Sequence, residues 1–183
     1  MSDHSWKVAS SHTTQVDRFK ITIDEIVLAN QETKNYSYIE FRDGVCVLAM
    51  TTKGEIIVLH QYRHAFDTWE LEFPAGMIDD EETPLQAAQR ELLEETGYQA
   101  TKWQALGDFY PSPGSTTERI HLFLAKDATK EMEQSLEMTE DIDVRLCDTH
   151  EFYHLIENDH FKHGAGLACW AKYLSLPNRR TDS

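Results

Sequence analysis

Two near-continuous apolar runs constrain the fold of this chain more than any other feature of its sequence. They span residues 45–50 and 56–60 and are separated by the polar turn Thr51-Thr52-Lys53-Gly54. A strand with one solvated face alternates apolar and polar side chains, whereas these runs contain almost no polar positions. The sequence therefore predicts central strands of a sheet that is covered on both faces.

Shorter patterns supply the remaining strands and the helices. Further strands are predicted at residues 19–23, 36–42, 69–73, 120–125 and 142–146. Helices are predicted at 84–95, 149–157 and 165–174, and the third is predicted to bury Leu167, Trp170, Ala171 and Leu174. These elements predict an α/β fold of the α+β mixed-sheet type, in which a mixed sheet lies between helices.

The length of 183 residues, 40% of them hydrophobic, fits one globular domain. We predict a single domain over 16–176, a flexible tail over 1–15 and a C-terminal tail over 177–183. The first tail has no apolar signal core, and no stretch approaches the roughly 18 apolar residues of a membrane span. Cys46, Cys147 and Cys169 form no Cys-x-x-Cys pair, which is typical of reduced thiols in a cytoplasmic protein.

The formal charge of −15, from 32 acidic and 17 basic residues, limits the possible ligands. DNA and RNA would be repelled, because the sequence has no Lys/Arg cluster to oppose this charge. A small phosphate ester would also be repelled unless a bound cation bridged it to the protein. Taken alone, the acidity is better explained as a means of keeping the protein soluble.

The predicted helix at 84–95 has clear end signals. Thr83 is a natural N-cap, Pro84 occupies the first helical position, and Gln86 completes a capping box with Thr83. Gly97 fits the left-handed position just after the helix. The side that packs on the sheet is predicted to carry Leu85, Ala88 and Leu92.

Three glutamates, Glu91, Glu94 and Glu95, are predicted on the opposite side of this helix. Like charges at these spacings destabilise a helix, and the helix dipole disfavours anions near the C-terminus. The cluster is either a solvated acidic face or a site where hard carboxylate oxygens converge on Mg²⁺ or Mn²⁺. Such a cation would neutralise a diphosphate and activate water for attack on phosphorus.

A longer pattern around this helix resembles the signature of Nudix hydrolases. It consists of Gly76, then Glu82 after five residues, then Arg90-Glu91-Leu92-Leu93-Glu94-Glu95-Thr96-Gly97-Tyr98 after seven more. The pattern departs only at Tyr98, where an aliphatic residue is usual. The resemblance implies a loop–helix–loop motif on an α/β/α sandwich and hydrolysis of a nucleoside diphosphate linked to a variable group.

The resemblance also implies roles for individual residues. Glu91 and Glu95 would be the main ligands of two or more Mg²⁺ ions, with Glu94 close by. The carbonyl of Ala75 would contact a metal. Arg90 and Glu82 would orient the carboxylates, and Gly76 would supply a bend that only glycine tolerates.

Flanking segments at 61–63, 69–76, 109–114, 116–120 and 140–144 resemble the ADP-ribose pyrophosphatase branch. Pro113, sixteen residues after Gly97, is by this resemblance a further candidate for substrate binding. This implies that ADP-ribose is hydrolysed to AMP and ribose 5-phosphate by a homodimer whose N-terminal strands cross to the partner. Arg63 fits either a clamp on the diphosphate or a strand-end ion pair. Trp69, Tyr62 and Phe109 could stack on adenine, although aromatic residues at strand spacing are more often part of the core.

The general base would come from the loop at 135–141, where Glu140 and Glu137 are both candidates and Glu140 matches the branch better. Other functions stay open: a pyrophosphatase acting on GDP-mannose or another nucleotide sugar, a dinucleoside polyphosphate hydrolase, or a Nudix-fold ligand sensor without catalysis. The intact Glu91, Glu94 and Glu95 argue against the sensor.

Overall fold

The computed structural model describes residues 6–177, which contain ten strands and three helices arranged in two compact units. The smaller unit consists of the described residues up to Arg42 together with Tyr110–Glu118. The larger unit consists of Asp43–Phe109 and the described residues from Arg119 onward. None of the helices in the described part of the chain has the length and apolarity that a membrane span requires.

The smaller unit contains an antiparallel sheet in the order β1-β2-β3, formed by β1 (Lys7–Val16), β2 (Phe19–Val27) and β3 (Thr33–Glu40). The prediction of a flexible tail over 1–15 is therefore wrong for residues 7–15, which belong to β1. Every residue of β1 is exposed, so no alternation of apolar side chains signals the strand, which pairs with β2 through its backbone. Residues 1–5 of that tail, and 178–183 of the predicted C-terminal tail, lie outside the described residues.

The larger unit is built on a seven-stranded sheet whose main order is β10-β5-β4-β9-β8. Its strands are β4 (Gly44–Thr51), β5 (Ile56–Arg63), β6 (Thr68–Glu72), β7 (Ala75–Met77), β8 (Tyr98–Phe109), β9 (Ile120–Lys130) and β10 (Ile142–Cys147). Its helices are α1 (Pro84–Thr96), α2 (Thr149–Glu157) and α3 (Gly164–Leu174). The sheet is mixed, because β4 pairs with β9 in parallel and with β7 antiparallel.

Strand β4 is buried along its whole length and divides the core into two layers. Cys46, Leu48 and Met50 pack with residues of α2 and α3 on one face of the sheet. Val45, Val47 and Ala49 pack with Ala87, Ala88 and Leu92 of α1 on the other. The prediction of a mixed sheet between helices is confirmed, and the runs at 45–50 and 56–60 are its interior strands.

The buried face of α3 differs from the predicted one. Leu167 and Leu174 are about one-third exposed, at 36% and 37%, and Ala171 is also exposed. The buried residues are Ala165, Gly166, Cys169, Trp170 and Tyr173. Small residues allow the helix to pack closely: a Cβ at Gly166 would lie 2.6 Å from the ring of Phe161. The position of Gly166 against Phe161 therefore helps to set which face of α3 packs on the sheet.

Candidate active site

The ends of α1 follow the sequence signals. The Thr83 hydroxyl accepts a hydrogen bond from the backbone N–H of Gln86, and the Gln86 side chain accepts one from the backbone N–H of Thr83. Gly97 adopts φ 72° and donates its N–H to the carbonyl of Leu93. These contacts fix where the helix begins and ends, and thereby the direction in which each glutamate projects.

The face of α1 that carries Glu91 and Glu95 is buried, which corrects the prediction that they lie opposite the packing side. Glu91 is 8% exposed and Glu95 is 3% exposed. They follow Ala88 at helical spacing and share its stripe, whereas Leu85 is 39% exposed. Two carboxylates therefore project toward the sheet from a stripe that is otherwise part of the core.

Strand β7 lies directly against these two carboxylates. The backbone N–H of Ala75 donates to Oε2 of Glu95 at 2.9 Å. A Cβ built on Gly76 would lie 2.0 Å from Oε1 of Glu91. Position 76 therefore has to be glycine if Glu91 is to keep this position, and the requirement comes from close approach.

Arg90 joins three of the acidic residues. Its Nε and Nη2 donate to the two oxygens of Glu82 at 3.1 and 3.0 Å. Its Nη1 donates to Glu91 at 2.7 Å and to Glu94 at 3.1 Å. Hydrogen bonding from Arg90 lowers the pKa of Glu82, so this carboxylate is held ionised. Arg90 thus connects Glu82, Glu91 and Glu94 through its guanidinium, and an orienting function for Arg90 and Glu82 stays a prediction.

Burial makes the charged forms of Glu91 and Glu95 costly. Desolvation raises the pKa of Glu91, partly opposed by hydrogen bonding from Arg90. Desolvation raises the pKa of Glu95 well above its ordinary value, and the negative charge of Glu91 raises it further. Glu140 also raises the pKa of both groups. A bound cation would relieve this accumulation of negative charge.

Among residues 6–177, no three His, Cys, Asp or Glu side chains form a ready-made metal cluster. Glu91 and Glu94 both accept from Nη1 of Arg90 in this structure. The donor set nevertheless fits Mg²⁺ or Mn²⁺, because it consists of hard carboxylate oxygens whose ionised forms are destabilised by burial. The absence of a side chain at Gly76 preserves the space that the Glu91 carboxylate occupies.

Arg63 forms a forked ion pair with Glu72, in which Nε and Nη2 donate at 2.7 and 2.6 Å. Glu72 is buried, whereas the Arg63 side chain is 41% exposed. The hydrogen bonds from Glu72 raise the pKa of Arg63, and the charges of Glu95 and Glu140 raise it further. Arg63 therefore lies in the electrostatic field of the helix carboxylates, as a phosphate clamp would require, while also forming the ion pair of the alternative interpretation.

The two candidate bases in the loop before β10 differ in burial and in their contacts. Glu140 is partly buried, and its charge acts on Glu91 and Glu95; Glu137 is exposed. The Glu140 carboxylate accepts from the backbone N–H of Glu137 at 2.9 Å. Gln134 anchors the loop by donating to the carbonyl of Glu95 at 2.7 Å. This geometry favours Glu140 over Glu137 as the predicted base.

The aromatic candidates do not gather around the acidic residues. Trp69 pairs with Tyr62 across β6 and β5, so alternation places both side chains on the opposite face of the sheet from Arg63. Trp69 stacks on His60 with ring centroids 5.0 Å apart and lines a cleft of about 380 Å³. Phe109 packs against the core, and Pro113 is an exposed residue of the smaller unit.

Three residues of this region were missed by sequence reasoning: Glu72, Gln134 and His163. Glu72 had a usable signal, because it is an acidic residue in the predicted strand at 69–73, just before Pro74. Gln134 and His163 had none, since each reaches the site through a backbone contact made across the fold.

The sandwich and its acid-bearing helix define an α/β protein with a carboxylate site built on a single helix. Residues 40–167 match the NUDIX domain family, and the chain belongs to that family. The resemblance inferred from Gly76 to Tyr98 is thereby confirmed.

Individual relatives agree with this assignment. The chain is 36% identical to an ADP-ribose pyrophosphatase of Bacillus subtilis (strain 168) over 119 residues, 65% of this chain and 64% of the relative. It is 35% identical to a GDP-mannose pyrophosphatase of Cronobacter sakazakii over 113 residues, 56% of this chain and 58% of the relative. The matches thus span less than two thirds of either relative's length. A crystal structure of an ADP compounds hydrolase shares the fold, with a TM-score of 0.85, 20% identity, and coverage of 98% of this chain and 99% of that one.

Proposed function

We propose that this chain is a Mg²⁺-dependent Nudix pyrophosphohydrolase that cleaves the diphosphate linkage of a nucleoside diphosphate joined to another group. The observation that carries the proposal is the pair Glu91 and Glu95, which are buried on one helix face against the glycine of β7. A stable core has no use for two such acids, because burial raises the pKa of each. They are explained if a divalent cation binds there, and the same consideration counts against a sensor without catalysis.

Each residue of the proposed site has its own role in the reaction. Glu91 and Glu95 hold the cations, two or more as the family resemblance implies, with the Ala75 carbonyl and Glu94 beside them. Bound Mg²⁺ or Mn²⁺ supplies positive charge against the diphosphate and makes water more acidic. Arg90 keeps the carboxylates oriented. Arg63 binds phosphate oxygens through its planar guanidinium.

Glu140 is the proposed general base. It accepts a proton from the water that attacks phosphorus, while the bond from that phosphorus to the bridging oxygen breaks. Its charge already acts on both metal-binding carboxylates, which supports a place beside them. A positioned base of this kind contributes roughly 10²–10⁴-fold in rate.

The proposed substrate is ADP-ribose, which reacts with water to give AMP and ribose 5-phosphate. The similarity to the Bacillus subtilis ADP-ribose pyrophosphatase and the flanking segments of that branch support it. GDP-mannose is the second candidate, because the chain is about as similar to a GDP-mannose pyrophosphatase. A dinucleoside polyphosphate is a third.

A substrate panel tests this proposal. Purified protein is incubated with ADP-ribose, GDP-mannose, other nucleotide sugars and diadenosine polyphosphates, with Mg²⁺ or with EDTA. Phosphate is then measured after phosphatase treatment of the products. We expect turnover only with Mg²⁺ and the highest kcat/KM for ADP-ribose. About tenfold higher kcat/KM for GDP-mannose would replace the proposed substrate, and no turnover of any compound would refute the activity.

We further propose that the protein is a cytoplasmic homodimer. Strand β1 is the outer strand of its sheet, and its residues Val8 and Val16 are more than half exposed, at 56% and 52%, as is Trp6 directly before it, at 54%. Exposed apolar residues on an edge strand favour pairing with a second chain. The buried free thiols Cys46, Cys147 and Cys169 fit a reducing compartment. Light scattering after size-exclusion chromatography tests the dimer, and a monomeric mass would contradict it.

A further inference from the structure

The ion pair between Arg63 and Glu72 is one end of a longer chain of contacts. Both oxygens of Glu72 are occupied by Arg63, at 2.7 Å from Nε and 2.6 Å from Nη2. On the other side, Nε2 of His163 lies 3.7 Å from Oε2 of Glu72. His163 in turn accepts a hydrogen bond from the backbone N–H of Phe73 at 3.2 Å. The contacts run from the strand end, through a buried carboxylate, to the start of α3.

The contact with Phe73 fixes the protonation pattern of His163. A ring nitrogen that accepts a hydrogen bond carries no proton, so the proton of the neutral ring is on Nε2, the atom that faces Glu72. Burial lowers the pKa of His163, which favours this neutral form. At 3.7 Å the Nε2 proton stabilises the Glu72 carboxylate electrostatically, without forming a normal hydrogen bond.

Glu72 and His163 have the burial expected of rigid supports, whereas Arg63 has the exposure expected of a binding group. The side chains of Glu72 and His163 are 7% and 16% exposed, against 41% for Arg63. Two parallel hydrogen bonds to one carboxylate fix the plane of a guanidinium. Nη1 of Arg63 donates no hydrogen bond to Glu72. The positive charge of Arg63 lowers the pKa of Glu95 in the proposed metal site.

We propose that Glu72 and His163 are positioning residues that hold the guanidinium of Arg63 in a fixed orientation for a phosphate group of the substrate. The inference rests on the proposed function, since it needs a diphosphate at the helix carboxylates. It assigns two residues that the metal site and the general base do not use. Phe73 contributes only its backbone N–H.

Substituting Glu72 has two opposing effects on substrate binding, and the choice of Asp or Gln distinguishes them. Removing its negative charge would favour an anionic substrate, whereas releasing the guanidinium costs side-chain entropy when the phosphate binds. Glu72→Asp keeps the charge but withdraws the carboxylate by one methylene, so it changes the orientation of Arg63 alone. Glu72→Gln changes both the charge and the fork, because its amide donor faces a donor of Arg63.

The test is steady-state kinetics with ADP-ribose at saturating Mg²⁺. We expect Glu72→Asp to raise KM by roughly tenfold with kcat within about threefold, because the loss affects ground-state and transition-state binding equally. In the Arg63→Ala background the same substitution should leave KM unchanged, since no guanidinium remains to be positioned. His163→Ala should raise KM by roughly threefold, and His163→Asn should partly restore it, because its amide oxygen can accept from Phe73.

Glu70→Gln is the matched control. It removes one acid from the same strand, and Glu70 borders the cleft beside Trp69. Its KM should equal that of the wild type. Circular dichroism and melting temperature verify that each variant is folded, and if the Glu72 variants do not fold, the His163 pair carries the same test.

The possible failures are distinguishable. Absence of turnover by the wild type would refute the proposed function itself. A wild-type KM in Arg63→Ala, beside normal turnover, would overturn the positioning proposal alone. An equal rise in KM for Glu72→Asp in both backgrounds would also overturn it, as would a loss of kcat with unchanged KM, which would make Glu72 part of the catalytic site.

Discussion

Replacing Glu95 with Gln should make the metal-free protein more stable and abolish its activity. The Glu95 side chain is 3% exposed, and desolvation together with the charge of Glu91 raises its pKa. Gln has the same shape and keeps an oxygen to accept the hydrogen bond from Ala75, so the substitution removes the charge with little loss of packing. Relief of a poorly compensated buried group contributes about 1–2 kcal/mol, which corresponds to a Tm increase of roughly 2–8 °C for a chain of this size.

The sign of the pH dependence follows from the raised pKa. Between the ordinary value of 4.5 and the higher folded-state pKa of Glu95, the folded protein binds more protons than the unfolded chain. Glu95 therefore destabilises the wild type progressively as pH rises through this window. The stability difference between Glu95→Gln and wild type should be largest above the folded-state pKa and should disappear below 4.5.

Differential scanning calorimetry in EDTA and turnover in Mg²⁺ measure the two halves of this prediction. Mg²⁺ should raise the Tm of the wild type but not that of Glu95→Gln, and kcat should fall by at least roughly 100-fold. Glu133→Gln is the control, because its side chain is 98% exposed and its loss should alter neither property. A lower Tm for metal-free Glu95→Gln, or retained turnover, would refute the reasoning and make Glu95 a structural residue.

Further substitutions separate the other functions of the site. Gly76→Ala should remain folded but lose at least roughly 100-fold in kcat, because its Cβ would lie 2.0 Å from Oε1 of Glu91 and displace that flexible carboxylate; a wild-type kcat would contradict this. Glu140→Gln should lower kcat by roughly 10²–10⁴-fold with KM little changed, whereas Glu137→Gln should keep the wild-type kcat. A wild-type kcat in both variants would mean that another group is the base. Arg63→Ala should mainly raise KM, and Arg63→Lys should restore it poorly because the planar fork is lost; full restoration would indicate a point-charge contact.

The elements of the fold that were predictable are those whose burial or capping determines the residue types in the sequence. The fully buried strand β4, the buried first half of β5 and the capped helix α1 were all predicted, because burial on both faces and capping leave direct marks in the sequence. Strand β1 was not predicted, since all of its residues are exposed. Strand β8 was also missed: half of its residues are exposed, and the irregularity between Ala105 and Gly107 interrupts the alternation that would reveal a strand.

The glutamate cluster of the candidate site was predictable from the sequence, but its orientation was not. The spacing of Glu91, Glu94 and Glu95 identified the cluster, yet the first and last were predicted on the solvent side. Acidic residues are ordinarily exposed and leucine is ordinarily buried, so Leu85 was the predicted core residue. The fold instead buries small alanines, which brings the neighbouring carboxylates against β7. Glu72 and His163 could not be paired in advance, because 90 residues separate His163 from its backbone partner, Phe73.

The central claim is that Glu91 and Glu95 together bind the divalent cation. A Mn²⁺ titration measures this binding without any substrate. The bound fraction is obtained from the decrease of the free Mn²⁺ signal in electron paramagnetic resonance. We expect the wild type and Glu133→Gln to bind alike, and Glu91→Gln and Glu95→Gln each to bind at least roughly tenfold more weakly, because each loses an ionised ligand. Unchanged Mn²⁺ affinity in both glutamine variants would contradict the account.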